Sequence, residues 1–222
     1  IHSDTIWAIS YNHNTDSVYR LIKAYDKVRA WSPTIQAVCD SLVFDSRDTC
    51  LAMYKDPIMW NGEVQLLGEV IKVYMEQSYI DWVNIINQTL YVEKLDSSCY
   101  NQIKGQEMEF YFSNGELREM QVIGSVELVF YPVDRDGTYL GMNTTTSGRT
   151  IAYMKDRKVD KVVVPNESKG IFYPMGQRPE NKRFLENFAW FDYVRPRSKW
   201  DIYYWRGKGS DMELKVIKKD RI

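Results

Sequence analysis

The residues able to do chemistry are few, and their spacing argues mostly against it. His2 and His13 both lie near the N-terminus, and neither has a second His at metal-ligand spacing. Neither a His-based hydrolase nor a zinc site is therefore expected. Cys39, Cys50 and Cys99 show no CxxC spacing. Cys39 and Cys50 flank the turn Asp45-Ser46-Arg47-Asp48; they could face one another across a hairpin, although buried free thiols are the commoner state. GxSxG, P-loop and GxGxxG signatures are all missing, and Gly207-Lys208-Gly209 is too short to cradle a phosphate. Carboxylates are plentiful, and a glycosidase needs only two. Glu107 with Glu109, and Asp134 with Asp136, are the candidate pairs, but each pair shares one strand face or one polar loop, where solvated carboxylates are the rule. The chain reads as a non-enzyme with no metal and no cofactor.

What remains is an apolar face carried by strands. Tyr100 to Tyr131 shows the unit most clearly. Met108, Phe110 and Phe112 alternate with Glu107, Glu109 and Tyr111, the period of two of a half-buried strand. Ser113-Asn114-Gly115 is a tight turn, because Asn and Gly accept positive φ at little cost. Leu117 to Tyr131 then returns as a long partner, with a bend or bulge at Gly124-Ser125. Looser copies begin near Asp4, Asp40, Glu69 and Thr150. Leu42 shares a face with Phe44, Leu51 with Met53, and Ile71 with Val73 and Met75; Ile151 and Tyr153 are assigned to the same apolar set. Pro57 must sit at a strand end, edge or kink. Val133 to Gly148, rich in Asp, Gly, Asn and Thr, reads as a flexible loop.

Repeated antiparallel hairpins must bury one face of each sheet. The expected fold is all-β, a jelly roll or an open twisted roll over residues 1–174. In a closed sandwich Leu42, Phe44, Ile71, Val73, Met75, Met108, Phe110, Phe112, Ile151 and Tyr153 are core. In an open roll they line a groove for a chain-like apolar ligand. Alternation alone does not separate these two readings.

Composition agrees with sheet: sixteen Tyr, seven Trp and eight Phe in 222 residues. A balance of 29 basic against 30 acidic residues does not suggest a nucleic-acid partner. No apolar run approaches the ~18 residues of a membrane-spanning helix. With no initiating Met and no signal peptide, the chain is expected to be a mature fragment. Residues 175–222 differ in character, carrying twelve Lys plus Arg against seven Asp plus Glu. Leu185, Phe188 and Phe191 have helical spacing, and the segment is expected to fold back and plug one end of the sheets. Beyond Tyr203 a mobile stretch is expected, followed by an edge strand over Met212 to Ile217. Arg178, Lys182, Arg183, Arg195, Arg197 and Lys199 could meet phosphates, although such residues are more often only a solvated surface.

The unit openings IHSDTIWAI, KAYDKVRAW, AVCDSLVFDSRDTCLAMYKDPIMW and QLLGEVIKVYM, with the stretch from Tyr100 to Pro132 and the segment FLENFAWFDYVRP, resemble the OstA-like family of Bacteroidetes-type bacteria. Gly124-Ser125-Val126 fits the family's Gly-x-Val motif, whereas Tyr25-Asp26-Lys27-Val28 has Asp26 in the Gly position. The resemblance implies a periplasmic β jelly roll, open along one side, whose interior shelters lipopolysaccharide acyl chains. It also implies partners among the lipopolysaccharide-transport proteins and end-to-end self-association through edge strands. The alternative is a closed β-sandwich that binds proteins through an edge and has no lipid cavity.

Overall fold

The computed structural model describes residues 1–76, 79–156, 158–165 and 168–207. The strands are β1 (Thr5–Tyr11), β2 (Tyr19–Trp31), β3 (Ile35–Asp45), β4 (Cys50–Tyr54), β5 (Ile58–Asn61), β6 (Val64–Leu67), β7 (Val70–Glu76), β8 (Tyr79–Lys94), β9 (Tyr100–Ser113), β10 (Glu116–Phe130), β11 (Gly141–Lys155), β12 (Lys158–Val163) and β13 (Lys169–Pro174). Every pairing is antiparallel. The fold is all-β.

One line of bends divides this continuous sheet into two halves. In β2, Tyr25 pairs with Ser41 and Val28 with Cys39, which leaves Asp26 and Lys27 opposite the single residue Asp40. In β8, Asn87 and Gln88 face Gln106 in the same way, and in β10 Gly124 and Ser125 face Gly148. All six bulged residues have left-handed backbone, with φ between 47° and 81°. Lys55 and Asp56, at φ 61° and 55°, repeat the conformation between β4 and β5. A two-against-one bulge sharpens twist and turns the strand. Repeated on alternate strands in line, it makes a crease. The expected bulge at Gly124-Ser125 and kink beside Pro57 both lie on it.

The first half-sheet holds β1, β4, β7 and β12 with one arm of each long strand; the second holds β5, β6 and β13 with the other arms. Their inner faces share one core: Ala24, Leu42, Met53, Ile71, Ile85, Met108 and Val122 from the first half meet Val28, Ala37, Met59, Leu66, Ile103 and Val126 from the second.

A second core lies on the outside of the second half-sheet. Val38, Ile58, Trp60, Leu67, Leu90, Val92 and Val129 point away from the first core and are covered by Leu185, Ala189, Phe191 and Val194. Residues 175–206 thus form a strap across an outer face rather than a plug at one end. Leu185, Phe188 and Phe191 belong to no α-helix. The described strap contains only the 3-10 turns Met175–Gln177, Glu180–Lys182, Asp192–Val194 and Asp201–Tyr203. Its prolines, Pro179 and Pro196, limit helix continuation.

Two glutamines dock the strap as a neighbouring strand would. The Gln65 amide donates to the Ala189 carbonyl at 2.8 Å, and its oxygen accepts from the Phe191 N–H at 2.7 Å and from Trp60 Nε1 at 3.1 Å. Gln102 donates to the Arg183 carbonyl at 2.8 Å and accepts from the Leu185 N–H at 2.9 Å. Gln36 Oε1 accepts from Arg195 Nε at 2.8 Å. All three side chains are buried, so each bond satisfies a strap group removed from water.

Two further expectations change. Gly141 to Gly148 is the first arm of β11, not loop, paired with β10 and β13. Cys39, Cys50 and Cys99 are buried and form no disulfide. Cys39 lies in the inner core beside Val28, whereas Cys50 pairs with Asp45 and Tyr74 on the outer face, so these two cysteines do not meet across the hairpin. The edge strand expected over 212–217 lies outside the described residues.

Replacing Gln65 by Leu strands the Phe191 N–H and the Ala189 carbonyl beneath the strap. We expect Gln65→Leu to lower stability by about 2–4 kcal/mol in urea unfolding, whereas Gln177→Leu, at an exposed position of the strap, should stay within about 0.5 kcal/mol of the parent.

Candidate functional site

Exposure along the inner face grades with distance from the crease. On β9, Met108 and Phe110 are 0% and 3% exposed, whereas Phe112 is half-buried. β7 repeats the order, with Ile71 and Val73 buried and Met75 half-buried; β3 repeats it with Leu42 and Phe44. Met53 then Leu51 on β4, and Val122 then Met120 and Leu117 on β10, follow the same rule. The second half-sheet mirrors it. Val28, Ala37, Leu66 and Val126 are buried beside the crease, and Ala30, Ile35, Val64, Tyr91 and Leu128 are half-buried farther out. The two faces meet at the crease and become accessible away from it. The two half-sheets make a V whose inner faces are buried at the crease and half-buried at the far strand ends, its mouth.

Leu42, Phe44, Ile71, Val73, Met75, Met108, Phe110 and Phe112 therefore come together on one inner face. Ile151 and Tyr153 do not join them. They pair with Gln121 and Glu119, on the outer face, while Thr150 and Ala152 pair with the inner residues Val122 and Met120. The physical reason is a parity step at the crease. Where a straight strand meets a two-residue bulge, its inner positions advance by three: Cys39 to Leu42 on β3, Gly105 to Met108 on β9, Ser147 to Thr150 on β11. Alternation alone did not reach Leu117, Met120, Leu128, Ile80 or Tyr91, which complete the mouth. The bulge at Gly124-Ser125 was the signal that could have linked the two arms of β10.

The lining is apolar over most of its width. Tyr91 stacks on Phe110 at 6.3 Å between ring centroids, and burial pushes its hydroxyl above the usual phenol range. On β11 the lining turns polar. The inward residues there include Asn143, Thr145, Ser147 and Thr150; Thr145 Oγ1 donates to Asn143 Oδ1 at 3.0 Å, and the Ser147 and Thr150 hydroxyls are 3.0 Å apart. At the opposite edge Ile6, 50% exposed, continues the inner face onto β1 beside Ala24.

The carboxylate pairs have structural partners. Glu107 accepts from Asn84 Nδ2 at 2.7 Å, and Glu109 from the Tyr111 hydroxyl at 2.9 Å, both on the outer face. Asp134 accepts the Arg135 N–H and Asp136 the Thr138 N–H within one turn, and the Thr138 bond holds the Asp136 carboxyl below its ordinary range. Basic residues of the strap lie away from the mouth. Arg183 Nη2 donates to the Ser98 carbonyl at 2.8 Å, Arg195 to Gln36 and the Gly62 carbonyl, and Arg178 to Cys99 Sγ. Among the described residues no group of three His, Cys, Asp or Glu side chains could hold a metal ion, and no helix is long and apolar enough to cross a membrane.

No family model and no curated protein matches the chain. Among solved structures it is similar to LptH of Pseudomonas aeruginosa, the LptA-homologous periplasmic component of the lipopolysaccharide transport device. The two are 13% identical over 63% of this chain and 95% of that one, with a TM-score of 0.47.

The gradient has an energetic signature. Phe110→Ala should cost about 3–5 kcal/mol in denaturant unfolding, as for a buried core aromatic, and Phe112→Ala about 1–2 kcal/mol, because part of that ring already meets water.

Proposed function

We propose that this protein is a non-enzymatic carrier of an amphipathic lipid of the lipopolysaccharide class, holding acyl chains in the mouth of the V with the polar head group outside. The observation that supports this reading most is the graded exposure of one apolar face. Phe44, Leu51, Met75, Phe112 and Leu117 stay half-buried at the strand ends, with Phe44 opposite Leu51 and Phe112 opposite Leu117. Met and Phe suit a ligand of variable chain length, since they repack at low cost. Each shielded methylene contributes about 0.8 kcal/mol, so a few turns of acyl chain offset the ordering of the ligand. The resemblance of the unit openings to the OstA-like family supports the same ligand class and a periplasmic setting.

Free edges suit the end-to-end association that the resemblance implies. β1 pairs only with β2, and β12 only with β11, among the described residues. Both carry exposed apolar side chains, Ile6 and Trp7 at one end and Val159 and Val162 at the other. Joined edge to edge, copies of this chain or its transport partners would extend the apolar interior.

Photo-crosslinking residues placed at Phe112, Met75 and Leu117 should give adducts with purified lipopolysaccharide, and one at Glu109, on the outer face, should not. Adducts at Glu109 as strong as those at the mouth, or none at any mouth position in folded protein, would overturn the carrier reading.

A further inference from the structure

The strap ends in a cluster that neither core nor groove uses. Between Tyr193 and Arg206 the chain exposes Trp200 (65%), Tyr204 (68%), Tyr203 (58%) and Tyr193 (46%). Between and beside them stand Arg197, Lys199 and Arg206, also exposed. The stretch is held as one compact lobe. Asp201 accepts the Arg197 N–H at 2.8 Å and Arg206 Nη2 at 2.8 Å, and the Tyr204 N–H donates to the Asp201 carbonyl at 3.0 Å. Arg29 fastens the lobe to β2 through the Ile202 carbonyl at 2.6 Å, with His2 against the Tyr203 ring.

Beside the aromatic side chains is a cavity of about 500 Å³ lined by Trp190, Asp192, Tyr193, Arg195, Arg197 and Arg206. Arg197 pairs with Asp192 and Arg206 with Asp201, and Arg195 lies 3.8 Å from Asp192, so three guanidinium groups share two carboxylates and the site keeps a net positive charge. Arg195 is tied to Gln36 and Gly62 and held rigid at the back wall. Burial and the neighbouring Arg197 charge both push the Arg195 pKa down, as expected where positive groups crowd without a full set of counter-charges. Lys199 Nζ sits 5.1 Å from the centre of the Trp200 ring.

The exposed side chains are of a particular kind. At the sheet edges the exposed apolar residues are mixed, with Ile6 and Trp7 on β1 and Val159, Val162, Ile171 and Phe172 on β12 and β13. In the lobe they are Trp and Tyr, whose rings are apolar at one end and polar at the other and favour the boundary between lipid head groups and acyl chains. Basic residues among them favour anionic lipid, at about 1 kcal/mol each near the surface.

We infer that the lobe at the end of the strap docks on an anionic phospholipid surface, with Trp200, Tyr203 and Tyr204 at the interface and a head-group phosphate in the arginine-lined cavity. The occupant is chosen by charge and by aromatic type together. This inference stands apart from the carrier reading, since the lobe caps an outer face and the apolar mouth lies between the two half-sheets. Docking would hold the protein beside a membrane through an outer face.

The test is flotation of the full chain with phosphatidylcholine vesicles and with vesicles containing phosphatidylglycerol. Binding should require phosphatidylglycerol and weaken with salt. Trp200→Ser with Tyr204→Ser should lower it by roughly tenfold, and Lys199→Gln by roughly fivefold, with circular dichroism and thermal unfolding unchanged, since these side chains are exposed. Phe112→Ala, at the mouth, should bind vesicles like the parent, which separates failure of docking from failure of the carrier reading. Inorganic phosphate at matched ionic strength should weaken vesicle binding only a few-fold beyond chloride, because the aromatic contacts remain; complete displacement from the vesicles would assign the cavity to a free anion and overturn the membrane reading. Equal binding to neutral vesicles, no binding to either kind, or binding untouched by the lobe variants would overturn it as well.

Discussion

The structure depends on a backbone conformation that most side chains avoid. Left-handed φ values at non-glycine residues cost about 1 kcal/mol or more each, yet Asp26, Lys27, Lys55, Asp56, Asn87, Gln88 and Ser125 all adopt them, in line across the sheet. They persist because the pairing on both arms fixes them. Without these bulges, strands as long as β8 and β10 would form one extended sheet whose apolar face could find cover only from another molecule. With them, each strand turns back on its neighbours and the face closes on itself at the crease. Closure is local to the crease, so the same constraint leaves the far rows accessible.

A folded sheet has a second problem. The crease lets the inner faces cover each other but leaves the outer face of the second half-sheet bare, and that face is apolar at Ile58, Trp60, Leu90 and Val92. The strap covers it. It does so without a helix or a paired strand, so its backbone groups need other partners, and Gln65 and Gln102 meet that need with one donor and one acceptor each. Stiffening one wall of the V in this way lets the mouth stay open against collapse of the two faces. The strap's end then projects as a lobe that exposes Trp200, Tyr203 and Tyr204 beside Arg197, Lys199 and Arg206.

Much of this was legible in the sequence where local chemistry decides. The turn at Asn114-Gly115, the bulge at Gly124-Ser125 and the alternation through Phe112 each follow from the residues on the spot. The inner set from Leu42 to Phe112 followed from them. What failed required the partner strand. Ile151 and Tyr153 look like inner residues by hydrophobicity, and only the register against Val122 and Met120 shows that Thr150 and Ala152 take those places. Gly141 to Gly148 looks like loop because Gly and Asn are weak strand formers and the run has no apolar alternation. It is strand because β10 and β13 supply bonds on both sides. The strap's helical spacing was a coincidence of two buried side chains, Leu185 and Phe191, and the half-buried Phe188 on a prolyl-interrupted chain. Whether an apolar strand face is core or groove is a property of spacing between sheets, which no single strand encodes.

The central claim is that the interior is sealed at the crease and open at the mouth before any ligand arrives. The most direct measurement is maleimide labelling of single cysteines at positions 108, 110 and 112, in protein whose own three cysteines are replaced by Ala. The account predicts rapid modification at 112 and strong protection at 108 and 110 under native conditions without lipid. Equal protection at all three, lost together only on global unfolding, would show a closed sandwich and contradict the account.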